Sequence, residues 1–448
     1  MEHQNLRLGT GYRDILRLSL PISFAILIPQ LNFFINTIFL GGLGETELGL
    51  AGITGVYYLI YTGMGMGLNN GLQVLIARRA GENRAGEIGR LFAQAVRLVL
   101  VISLVAVLLT YLLLPFILQQ ALPDAEKAAR AVQFLQIRIW GLPFLYLFQV
   151  CNALLVGINR SKYLPIGSGI GTAINITLDY CLIYGHAGLP ELGFNGAAYA
   201  SLFAELFSML PMLFVVWKVG GSVNLSGSRA FNWQRTKLIL VQSAPLMFQH
   251  AISIISWWFF FLLVGRMPEN TRTLAISQTM RNVFGLFSIF TWALGSTTNA
   301  MVSNIIGQGR QAEVMQLVGR IARLSFCVAV CSCLILNLFP SAIFSLFRAR
   351  EGFVGDAIPV IRVVSAALLI MSVSVTCLNA VVGTGNSKYA LFIETAAIIL
   401  YCVYVYVTLE GFHLSVTIGW MSEWLYWTSL LALSYWYLRL GKWKKRVI

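Results

Sequence analysis

The sequence predicts an all-α polytopic membrane protein of about twelve transmembrane helices, set in two six-helix pseudo-symmetric bundles with a central cleft. Three observations carry that expectation. First, 57% of the 448 residues are hydrophobic and only 11% are charged, and the mean hydropathy of +0.74 lies outside the range of a soluble domain. Second, apolar runs of about 20 residues, long enough to cross a hydrocarbon core of about 30 Å, recur from end to end. Alternating short strands are absent, so a barrel is excluded. Third, the chain is written twice.

The repeat shows in the loops. GINRSKY (Gly157 to Tyr163) matches GTGNSKY (Gly383 to Tyr389) at an offset of 226 residues. The same offset pairs Gly81, Arg84, Glu87, Leu91 and Arg97 with Gly307, Arg310, Glu313, Leu317 and Arg323. Upstream, Pro21 pairs with Pro245 and Gly41 with Gly265 at 224. Six spans per half place paired basic loops on the same side, so the repeats are parallel, related by an axis along the membrane normal. The expected domains are an N-lobe over 1–218, a cytoplasmic linker over 219–236 and a C-lobe over 237–448.

The spans are taken in order. The first, 15–40, follows Arg13 and Arg17 and carries no small-residue cleavage site, so it reads as a retained anchor helix. It places Asn32 and Asn36 on one helix face, one turn apart. The second, 51–77, adds Asn69, Asn70 and Gln73. After 92–118, the fourth span, 131–157, adds Gln149 and Asn152. The fifth, 163–185, contains Asn175 and Asp179, again at i and i+4. An ionisable side chain at a helix centre costs about 2.5 to 3.5 kcal/mol on insertion scales, so Asp179 needs a function or a partner. The sixth, 194–217, carries Glu205, which reads equally as a site or as a neutral hydrogen-bonded group. In the C-lobe the spans run 238–264, 274–303, 317–343, 357–382, 389–409 and 414–438. Arg281 and Glu423 are candidate cavity residues there. Glu394 is expected in an interfacial salt bridge with Lys388. Position 179 maps onto Val405 and position 36 onto Phe260, so the polar site is expected in the N-lobe alone.

Charge distribution fixes the partners. The net charge of +14 would suit nucleic acid, but most of the 32 Lys and Arg fall in loops on one side, among them Arg78, Arg79, Arg84, Arg229, Arg235, Lys442, Lys444 and Arg446. That bias puts both termini in the cytoplasm and the multi-pass chain in the cell membrane. The tail GKWKKRVI then lies on anionic headgroups, so membrane lipids are partners and nucleic acid is not. The seven cysteines all fall in spans without CxxC spacing and read as small apolar residues, not disulfides or metal ligands. No cofactor is expected.

The first helix LPISFAILIPQ…NTIFLGGLGETELGLAGI, the loops GINRSKY and GTGNSKY, and the two six-helix halves together resemble the multidrug and toxic compound extrusion (MATE) transporters, within them the DinF-like branch. The resemblance covers nearly the whole chain. It implies a cation-coupled antiporter that takes protons, or alternatively sodium, inward and exports bulky amphiphilic or cationic drugs by alternating access; a monomer is expected. In similar proteins an acid on the first helix works with an Asn and an Asp on the fifth, which Asn175 and Asp179 match. Asn36 stands where many relatives carry Asp, and an amide cannot take up or release a proton. Either the chain relies on Asp179 alone or it is a neutralised variant. The coupling set is thus Asp179, Asn175 and Asn36, with Asn32, Asn69, Gln73, Glu205, Arg281 and Glu423 as cleft candidates. Pro21 resembles the proline at which the family's first helix bends, so it is a candidate hinge. A lipid-linked oligosaccharide flippase shares this architecture but would need a strongly basic cavity, for which Arg281 is the chief candidate. An enzyme would need motifs that are absent: DDxxD, HExxH or a G-x-S-x-G elbow.

Overall fold

The computed structural model describes residues 6–122, 124–223, 230–267, 270–345 and 351–445. Arg229, Arg446 and the 224–229 part of the expected linker lie outside them. The described residues form helices and no strands. In order, they are α1 (Tyr12–Leu43), α2 (Glu45–Gly81), α3 (Ala85–Ala121), α4 (Ala125–Arg138), α5 (Leu142–Gly157), α6 (Leu164–Tyr184), α7 (Phe194–Val219) and α8 (Trp233–Val264). There follow α9 (Asn270–Phe287), α10 (Ile289–Gly307), α11 (Val314–Leu338), α12 (Pro340–Ser345), α13 (Glu351–Gly383), α14 (Ser387–Tyr406), α15 (Val416–Trp420) and α16 (Ser422–Leu440).

Among the described residues, nine helical stretches are long and apolar enough to cross a membrane. The expected twelve are completed by α2, the α9–α10 pair and α16. These three carry more polar residues, such as Asn69, Asn70 and Gln73 on α2, Arg272 and Arg281 on α9, and Glu423 on α16. Four spans read as single helices from sequence are composite, among them 317–343, which holds α11 and α12, and 414–438, which holds α15 and α16. A 3-10 turn, Ile139–Gly141, joins α4 to α5, and Ser288 divides α9 from α10.

The outward faces confirm the solvent. Val101, Leu104, Leu108, Leu112 and Phe116 on α3 are 54–64% exposed and recur every three or four residues, a stripe that water would penalise and lipid accepts. Pro115 stands inside that helix, as Pro211 does in α7, without ending either.

Packing divides the chain into two units. One comprises 1–7 and 24–247, the other 8–23 and 248–448. In the first, α5 packs against α2, α3 and α7, and α6 lies along α7. In the second, α13 packs against α10, α11 and α16, and α14 against α16. Among the nine stretches, α4–α5 and α13 are the most buried, at 61% each, and α10, outside that set, is buried along most of its length. The first turns of α1 belong to the second unit, where Arg320 donates to the Thr10 carbonyl at 2.7 Å and Leu8 N donates to Asn304 Oδ1 at 3.0 Å.

The repeat is also conformational. Asn83 and Gly309, 226 residues apart, both take positive φ (61° and 79°), as do Asn159 and Gly385 (60° and 88°). Each ends a helix with the left-handed residue that a tight turn requires, which Gly adopts freely and Asn tolerates.

Candidate functional site

α6 begins with Leu164 and Pro165 in its first turn and ends at Gly185, left-handed at φ 71°, so start and stop are both local. Between them Ser168, Gly171, Asn175, Asp179 and Leu182 form one buried face. At Gly171 an added Cβ would meet Ser208 and lie 3.0 Å from the Ala204 carbonyl oxygen. The glycine therefore lets α6 close on α7, and the polar pair one and two turns further on is sealed from water. Asp179 is fully buried and Asn175 nearly so, at 3%.

On α1, Asn32 and Asn36 point the same way because they are one turn apart. Both side-chain amides donate to Asn175 Oδ1, Asn36 at 3.0 Å. Asn36 makes no direct hydrogen bond to Asp179 among the described residues, since its amide donates to Asn175. Both Asp179 carboxylate oxygens are buried with no hydrogen-bond partner among the described residues, as are Asn32 Oδ1, Asn36 Oδ1 and Asn175 Nδ2. Four acceptor oxygens thus meet one remaining donor hydrogen-bonding group. Burying an unpaired carboxylate charge is costly, so the arrangement suits a proton on Asp179 or a cation among the oxygens.

The other predicted residues do not join this cluster. Asn69 Nδ2 donates to Gln149 Oε1 at 3.1 Å, tying α2 to α5, and Gln73 is fully buried on α2. Glu205 is not a free cavity acid but one side of a buried ion pair. Arg138 grips it with two guanidinium bonds at 2.9 and 2.6 Å, and Tyr58 OH donates to it at 2.9 Å. The guanidinium also lies 3.7 Å from the centre of the Tyr58 ring, completing a structural cluster across α2, α4 and α7. Arg138 was missed in the sequence, although an Arg inside the fourth span was the signal. Pro21 lies within α1, and Pro245 within α8.

In the second unit, Arg281 stands over the Phe261 ring at 5.5 Å. Glu423 accepts from Trp427 Nε1 at 2.9 Å and is 3% exposed. Glu394 is not paired with Lys388. It is buried and accepts from Ser253 at 2.8 Å, Gln249 at 3.3 Å and Tyr426. Two buried acids, Glu394 and Glu423, thus lie in the second unit, at positions the repeat offset does not connect to Asp179. All seven cysteines are free, but Cys327 and Cys331 are exposed on α11, where they face outward with the lipid-exposed residues. Among the described residues no group of three or more His, Cys, Asp and Glu is placed to hold a metal ion.

The solved structures with this fold include an outward-facing multidrug resistance MATE family transporter of the MOP superfamily, at a TM-score of 0.89, 18% identity and 99% of each chain. Another is a MOP superfamily transporter from Pyrococcus furiosus, for which a binding pocket of reverse polarity suggests a different function, at 0.88, 17% and 99% of each chain. In sequence, the multidrug resistance protein MdtK of Cronobacter sakazakii is 25% identical over 304 residues, 67% of this chain and 66% of that protein. MdtK of Yersinia pestis is 25% identical over 307 residues, 67% of each. The chain thus spans about two thirds of the length of these relatives. The MatE family profile matches residues 21–181 and again 245–407. Its two matches start 224 and end 226 residues apart, the same offsets that the loops and prolines show. Since the profile covers both halves, the chain belongs to the MatE family.

Proposed function

We propose that the protein is a cation-coupled antiporter, driven by protons, that exports bulky amphiphilic or cationic drugs across the cell membrane by alternating access. The observation that supports this reading most directly is the buried Asp179 carboxyl, without a hydrogen-bond partner, one turn from an Asn175 already held by Asn32 and Asn36. A proton arriving from outside neutralises that carboxyl, and its departure inside restores a charge that the apolar surroundings disfavour. The two protonation states therefore favour different arrangements of the helices around it, which is what coupling needs. One inward charge at 100 mV supplies about 2.3 kcal/mol, equivalent to roughly a 50-fold gradient of an uncharged drug, while a one-for-one exchange against a monocation is electroneutral and draws on the proton concentration gradient alone. The multidrug resistance proteins among the relatives support drugs as the exported class.

Sodium is the second reading, and the four acceptor oxygens of Asn32, Asn36 and Asp179 favour it, since sodium binds to oxygen. The flippase reading loses support, because Arg138 is committed to Glu205 and Arg281 stands over an aromatic ring. The test is drug efflux from proteoliposomes under an imposed proton or sodium gradient. Efflux that follows the proton gradient and ignores sodium is expected. Efflux with sodium alone selects the second reading, and no efflux with either gradient removes both.

A further inference from the structure

A groove of about 500 Å³ opens between the first half of α3 and the last turns of α7. It lies within the first unit and touches none of the residues of the Asp179 cluster. Its walls are apolar, with Phe92 and Val96 on one side and Leu213 and Trp217 on the other, and Arg97 is the charged residue that lines it.

The depth of the groove follows from the sequence. After Arg97 no charged residue occurs before Asp124, and residues 98–118 at 1.5 Å each span about 32 Å, the thickness of the hydrocarbon core. Arg97 therefore stands at the boundary between hydrocarbon and headgroups. On α7 the same level is marked by Trp217, 76% exposed, followed directly by Lys218. An exposed tryptophan beside a lysine is an interfacial anchor. The nearby acid, Glu87, is already neutralised by Arg90 at 2.9 Å and Arg235 at 3.4 Å, so the surroundings keep a positive charge.

We propose that this groove binds one anionic phospholipid, its phosphate on the Arg97 guanidinium and an acyl chain along Phe92, Val96 and Leu213. Guanidinium and phosphate match in planar, two-point geometry. A zwitterionic lipid offers the same phosphate but brings a choline beside Arg97, so the charge complementarity selects the anionic headgroup. The lipid would hold α3 and α7 together at the membrane surface, next to the 3-10 turn at Gly220–Val223.

The test uses the full chain in detergent and native mass spectrometry with added phosphatidylglycerol or phosphatidylcholine. A first phosphatidylglycerol is expected to bind about tenfold more tightly than phosphatidylcholine. That preference is expected to disappear in Arg97→Gln. It should also fall in Gly221→Leu, which adds a side chain to a residue that lines the groove and where an added Cβ meets nothing within 4 Å, with an unchanged thermal midpoint checking that the variant is folded. Equal binding of the two lipids by the wild type overturns the proposal. So does a phosphatidylglycerol preference that survives Gly221→Leu or a folded Arg97→Gln.

Discussion

Asn36 donates its side-chain amide to Asn175 Oδ1 at 3.0 Å, and the carboxyl of Asp179, one helical turn beyond Asn175, receives no hydrogen bond from either residue. The α1 amides thus hold the α6 amide and leave the acid's oxygens uncommitted. A group that must exchange a proton or a cation is better placed when no donor hydrogen bond has to be broken first.

The roles of the two residues separate under substitution. Asp179→Asn keeps the shape and removes the exchangeable proton, so coupled efflux should fall to the level of empty liposomes while drug binding persists. Asn36→Asp adds a second titratable group beside Asn175 and should raise proton-driven efflux. Efflux and proton release on drug binding, measured in parallel, check both. Unchanged transport in Asp179→Asn would overturn the mechanism, and lost activity in Asn36→Asp would show that the neutral amide is needed.

Asn175 has a structural duty that Asp179 lacks. Asn175→Leu leaves the Asn32 and Asn36 donors without their shared acceptor in a buried site, a loss of about 1–3 kcal/mol. The thermal midpoint in detergent should fall clearly, whereas Asp179→Leu should hold or raise it, because no hydrogen bond to the carboxyl is lost. Equal midpoints for the two variants would contradict the observed pattern.

The Arg138–Glu205 pair is buried to 14% side-chain exposure on both partners. Removing one partner strands a charge, at a cost of about 3–5 kcal/mol, while replacing both by apolar residues of similar size is often neutral. Arg138→Met and Glu205→Leu should each unfold the protein at lower temperature, and the double variant should recover most of the loss. Additive losses would mean that the pair is not coupled.

The sequence disclosed periodicity and hid partnerships. The twofold offset was legible because a left-handed residue is needed at each turn, at Asn83 and Gly309 and at Asn159 and Gly385, and chain chemistry allows few choices there. Asn32 with Asn36 and Asn175 with Asp179 were legible because one helical turn aligns them. Which helix faces which cannot be read from that spacing. Proximity in sequence suggests Lys388 as the partner of Glu394, six residues away, yet six residues turn a helix by about 240°, onto a different face. Its partners Gln249 and Ser253 come from α8, more than 140 residues distant. The partner of Glu205 is equally remote in sequence, since Arg138 reaches it from α4.

The glycines of α2 give a graded test of packing inside the first unit. At Gly67 an added Cβ would lie 2.4 Å from the backbone nitrogen of Met247 and 2.6 Å from the Leu246 carbonyl carbon, and at Gly71 it would lie 2.6 Å from Ser243 Cα. Here α2 meets the backbone of α8, the close approach that small residues permit in membrane helices. At Gly52 and Gly55 an added Cβ meets nothing within 4 Å. Alanine at Gly67 or Gly71 must therefore push two backbones apart, a cost of about 1–3 kcal/mol, while alanine at Gly52 or Gly55 should be neutral or stabilise by about 0.5–1 kcal/mol through the better helix propensity. Thermal midpoints of the four single variants in one detergent decide it. If Gly67→Ala melts no lower than Gly52→Ala, α2 and α8 do not approach as described.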